Sequence, residues 1–66
     1  MLAIERKNEI LAILQKEQRV LVSELSKRYD VTDETIRRDL EKLEIEGFVK
    51  RTYGGAVLNK NKNVDM

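Results

Sequence analysis

The stretch TDETIRRDLEKLEIEGFVKRTYGGAVL, Thr32 to Leu58, changes its hydrophobic period part-way along. Ile36, Leu40 and Leu43 recur at i, i+4 and i+7, the stripe of an amphipathic helix, and the pattern runs to Gly47, a natural residue just past a helix end because it tolerates positive φ. Thr32 stands where an N-cap is needed, with Asp33 and Glu34 in the first turn beside the positive end of the helix dipole. Beyond Gly47 the period becomes two. Phe48 and Lys50 alternate with Val49 and Arg51, and the Gly54-Gly55 pair reads as the turn of a hairpin returning through Ala56, Val57 and Leu58. A helix over 33–46 followed directly by a hairpin is therefore the anchor of the fold.

Upstream, AIERKNEILAILQK sets Ala3, Lys7, Ile10 and Leu14 on one line of a helix, widened by Leu11 and Ile13, so residues 3 to 17 read as a first amphipathic helix. The β-branched run Arg19–Val22 reads as a short strand. Ser23 then offers an N-cap for a second helix, with Leu25 and Tyr29 four apart on its inner face and an end near Asp30. The predicted fold is mainly α with a small β-sheet, in the order helix, strand, helix, helix, strand, wing, strand. Two helices joined by the tight YDVT turn and followed by a hairpin make a winged helix-turn-helix. Residues 1–58 form this domain; the polar, aperiodic tail 59–66, with Lys60 and Lys62, reads as the start of a linker or a disordered end.

Composition narrows the function. A chain of 66 residues has room for one compact core and one site. It contains no cysteine and no histidine, so it offers no disulfide, no thiolate or imidazole metal ligand, no cysteine nucleophile and no base of ordinary pKa near neutrality. No enzyme, cofactor or metal is expected. No apolar run approaches the ~18 residues of a membrane span, and MLAIERKNEI turns charged too early for a secretory signal. A soluble cytoplasmic protein is expected.

The net charge of +1 does not announce a polyanion partner, so the reading depends on where the charges point. With Ile36 taken as the inward direction and about 100° per residue, Arg38 lies about 200° away, Lys42 about 240°, Thr35 about 260°, and Arg37 about 100°. The face carrying Thr35, Arg38 and Lys42 is the one suited to a major groove, where arginine reaches guanine O6 and N7 with two hydrogen bonds. Arg37, on the flank, suits a phosphate. Thr32 at the cap and Lys50, Arg51, Tyr53, Gly54 and Gly55 around the wing complete the candidate set, since a glycine turn lets backbone approach a phosphate or the minor groove. Asp39 falls at the edge of the core, where it is expected to brace a neighbouring basic group, and Glu34 to serve the dipole. Arg6, Lys7, Lys27 and Arg28 are weaker candidates. The plain alternative is a solvated face on which Arg37 and Arg38 pair with Glu34 and Glu41.

The segment VSELSKRYDVTDETIRRDLEKLEIEGFVKRTYGGAVL, preceded by ERKNEILAIL, resembles the N-terminal DNA-binding domain of DeoR-family bacterial transcriptional regulators, with TIRRDL followed by a glycine and then RTYGGA as its most specific part. The resemblance implies a cytoplasmic regulator, expected to repress sugar or related catabolic genes, whose duplex operator is read by the third helix. It also implies a larger C-terminal domain, absent from this sequence, that binds an effector sugar phosphate and makes the full-length protein a homo-oligomer, with this fragment able to stand as a monomer. The rival is a winged-helix module for protein–protein contact, which near-zero net charge permits.

Overall fold

The computed structural model describes residues 1–60. Residues 61–66 of the expected tail, Lys62 among them, lie outside the described residues. Three helices carry a small sheet: α1 Ala3–Glu17, β1 Arg19–Leu21, α2 Val22–Tyr29, α3 Asp33–Ile45, β2 Val49–Thr52 and β3 Gly55–Leu58. This is the expected winged helix-turn-helix.

The sheet has the order β1-β3-β2, both pairings antiparallel, so the last strand lies between the other two. Val20 faces Ala56 in one ladder and Arg51 faces Ala56 in the other. Ile10 and Leu14 of α1, Val22 and Leu25 of α2, Ile36, Leu40 and Leu43 of α3, and Val20, Val49 and Ala56 of the sheet form one buried core. Each fully buried Leu or Ile is worth about 1.5–3 kcal/mol, a large share of the ~3–10 kcal/mol a domain of this length holds. Two short strands would not persist alone; the helices give the hairpin a face to pack on.

The helix ends are made by local chemistry where the sequence supplies it. Thr32 Oγ1 accepts from the Thr35 N–H at 3.2 Å, the expected cap of α3. Glu5 accepts from the Leu2 N–H at 3.0 Å, half of a capping box, since leucine has no side-chain acceptor to return the bond. Gly47 takes φ 90°, closing α3 as expected. The helix itself ends at Ile45 with Glu46 as its cap, one residue earlier than the periodicity suggests.

Four further sequence readings are corrected. The first strand stops at Leu21, and Val22 is already helical. Ser23 is therefore not the cap of α2: the cap position is Leu21, whose side chain makes no hydrogen bond, and the Val22 N–H is instead accepted by the Gly54 carbonyl at 2.8 Å. The turn of the wing thus satisfies one of the free N–H groups in the first turn of α2. The hairpin turn is centred on Tyr53 and Gly54, because Gly55 already pairs with both Thr52 and Leu21 in the sheet. Asn59, read as tail, is tied back to the fold: its N–H is accepted by Phe48 O at 2.8 Å and its side-chain amide by Gly47 O at 3.0 Å.

Candidate nucleic-acid interface

The helix α3 is held by its inner face and left open on its outer one. Ile36, Asp39, Leu40 and Leu43 are buried, while Glu34, Arg37, Arg38, Glu41 and Lys42 are exposed. Its start is fixed to α2 through Asp30, Val31 and Thr32: Asp30 adopts the left-handed conformation at φ 55°, a region aspartate tolerates better than most residues, and the Val31 N–H reaches Ser26 O at 3.0 Å. The second helix of the motif therefore presents a rigid, charged, uncovered surface.

Arg37 and Arg38 point to different surroundings. Arg37 shares an open cleft of about 400 Å³ with Val22 of α2 and with Arg51, Thr52, Tyr53, Gly54 and Gly55 of the wing. Arg38 projects away from the core, and its guanidinium meets Glu34 one turn back at 3.5 Å, both side chains more than 70% exposed. An ion pair so exposed is worth little and is readily exchanged for another partner. The Arg38–Glu34 pair of the plain alternative is thus present, where the dipole role was expected for Glu34, and it leaves the guanidinium at the surface.

The wing brings some of the candidates together and separates others. Val49 is buried, and strand alternation carries Arg51 on the same side, next to the Arg37 cleft, while Lys50 points to the opposite face. The Arg51 N–H, on the open edge of β2, is accepted by Glu44 of α3 at 3.2 Å, which ties the wing to the helix and blunts the edge. Tyr53 stands fully exposed at the tip beside Gly54 at φ 81°. Gly55 is buried, so it serves packing within the sheet and not the tip of the wing.

Thr35 is half-buried, its hydroxyl 3.0 Å from that of Thr32. Lys42 leans towards α1, lining a shallow recess with Ala3, Ile4, Lys7 and Asp39, away from the wing cleft. The basic group that Asp39 braces is Arg6: its Nε and Nη2 donate to the two carboxylate oxygens, the second at 3.2 Å. That hydrogen bonding and the carboxylate charge raise the Arg6 pKa against the lowering effect of burial. Arg6 and Lys7, weaker candidates by sequence, are both braces, since Lys7 Nζ pairs with Glu46 at 2.8 Å. The sequence candidates omit Val22 and Thr52; Thr52 lies in the wing between Arg51 and Tyr53, whereas only the folded contact of α2 with the wing brings Val22 to the cleft.

A helix-turn-helix with its second helix uncovered, flanked by a β-hairpin that meets it across an arginine-lined cleft, defines a winged helix-turn-helix DNA-binding domain. Residues 6–62 match the DeoR-like helix-turn-helix domain, and the chain belongs to that family. It is 47% identical over its whole length to an HTH-type transcriptional regulator of Bacillus subtilis, YulB, of which it spans 26%. It is 46% identical over 83% of its length to an L-fucose operon activator of Haemophilus influenzae, covering 22% of that protein. It is 39% identical over 86% of its length to a lactose phosphotransferase system repressor of Lactococcus lactis, again covering 22%. The chain thus spans about a quarter of the length of these relatives. No solved structure gives a significant match. No helix among the described residues is long and apolar enough to cross a membrane.

Proposed function

We propose that this domain binds duplex operator DNA without chemistry of its own, with α3 in the major groove and the wing on the flanking backbone. The observation that carries the reading is the placing of Arg37 with Arg51 and Tyr53 around one cleft, beside an α3 whose outer face is exposed among the described residues. Arg38 is the base-reading residue, since it projects outward and its tie among the described residues is an exposed pair that a guanine can replace. Arg37 and Arg51 hold phosphates, with Tyr53 and Gly54 against the sugar-phosphate edge. Thr32, Thr35, Lys42 and Lys50 lie at the margins, suited to positioning contacts.

In the longer protein that the relatives suggest, this domain carries the regulator to its site in the cytoplasm, and a further domain senses a sugar phosphate and assembles the oligomer. Relatives named for L-fucose and lactose systems favour sugar-utilisation genes as the regulated set. One is named an activator and the other a repressor, so this domain serves either direction of control, and repression is the direction we propose here.

Titration of a labelled duplex at several salt concentrations tests the reading. Binding should weaken steeply as salt rises, by about 0.9 log unit per log unit of salt for each phosphate neutralised. A flat dependence would overturn it in favour of a protein-contact surface.

A further inference from the structure

Asp39 is 3% exposed, the sole charged residue in the buried class among the described residues, and it lies on α3 next to the proposed base-reading Arg38. Placing a carboxylate in a core is unfavourable unless it is paired, and even a paired one rarely outperforms an apolar contact of the same volume. Stability alone therefore gives no reason for an ion pair here. What an arginine–carboxylate fork supplies and an apolar contact lacks is direction: two parallel hydrogen bonds fix both distance and rotation. Arg6 makes that fork from α1. Its neighbour Lys7 grips Glu46, the residue that caps α3, seven positions beyond Asp39. α1 thus holds α3 at two points along one line.

Rotation matters because base readout is steep in position. A roll of about 20° swings a side chain at ~6 Å from the helix axis by roughly 2 Å, more than the tolerance of a hydrogen bond. Phosphate contacts from the flexible Arg37 and Arg51 side chains would absorb such a roll; a two-bond contact from Arg38 to one base would not.

We propose that Arg6 and Asp39 are positioning residues that set the roll of α3 and so determine sequence discrimination, without touching DNA. The inference rests on duplex binding by α3. It is tested with a duplex enriched from a random pool by the wild-type domain and with a random duplex, comparing wild type, the paired replacement Arg6→Met with Asp39→Leu, and Arg6→Lys, which keeps the charge but loses the fork. Thermal melting is measured alongside. The paired variant should melt no lower than wild type and bind random duplex within about twofold, while its enriched-to-random affinity ratio falls by about tenfold or more. Arg6→Lys should also lower the ratio while leaving random binding intact, which keeps the test decisive should the paired variant fail to fold. An unchanged ratio in a folded variant overturns the positioning role and leaves duplex binding standing. Failure of the wild-type domain to bind either duplex overturns both.

Discussion

A Cβ built on Gly55 would lie 2.0 Å from the carbonyl oxygen of Val20. No side chain fits there, because the obstacle is backbone of the adjacent strand and has no flexible end to move aside. Gly54, next in line, has nothing within 4 Å of its Cβ position but sits at φ 81°. Two adjacent glycines thus answer two different demands. Gly55→Ala should destabilise the domain by about 3 kcal/mol or more through forced separation of β1 and β3, whereas Gly54→Ala should cost only about 1–2 kcal/mol of left-handed strain. Urea unfolding of both variants measures the difference, and equal losses would show that the close approach is not tight.

The Tyr29 phenol is pushed above its ordinary value by burial first, then by its hydrogen bond to Glu9 at 2.9 Å and the charge of that carboxylate. The folded state then holds the phenol proton more tightly than the unfolded chain. This contribution to stability is fully present below about pH 10, the unfolded value, and is lost as pH rises through the raised folded value. Thermal melts in alkaline buffers should fall more steeply for wild type than for Tyr29→Phe. Parallel alkaline limbs would contradict the assignment.

Much of this architecture is legible in the sequence because it is set locally. The change of period at Gly47, the Thr32 cap and the Ile36, Leu40, Leu43 stripe each depend on residues within a turn or two of one another. The misread positions depend on the far end of the chain. Ser23 has the right chemistry for a cap, yet the N–H at Val22 is satisfied by Gly54, and Gly55 reads as a turn until β1 is laid beside β3. At the candidate site, a wheel referred to Ile36 alone separates Arg37 from Arg38 correctly. It does not show that Lys42 lines a recess with Ala3, Ile4 and Lys7 of α1. That α1 occupies the space beside Lys42 is a tertiary fact no periodicity contains.

The two arginines of α3 should fail differently. Arg38→Ala should cost about 1–3 kcal/mol on a duplex enriched by the wild-type domain and little on random DNA, so that discrimination collapses. Arg37→Ala and Arg51→Ala should weaken both duplexes alike and each lower the salt slope by about one unit. Fluorescence titrations of folded variants separate these outcomes. Loss of discrimination in Arg37→Ala, with Arg38→Ala weakening both duplexes equally, would assign base reading to Arg37 and the phosphate to Arg38.

Amide chemical-shift mapping of the labelled domain on addition of an enriched duplex shows whether the outer face of α3 and the wing form the duplex surface. The largest shifts should fall over residues 32–42 and 51–54, with little change in the groove of Lys16, Arg19 and Arg28 between α1, β1 and α2. Shifts concentrated in that groove, with α3 and the wing unmoved, would contradict that placement.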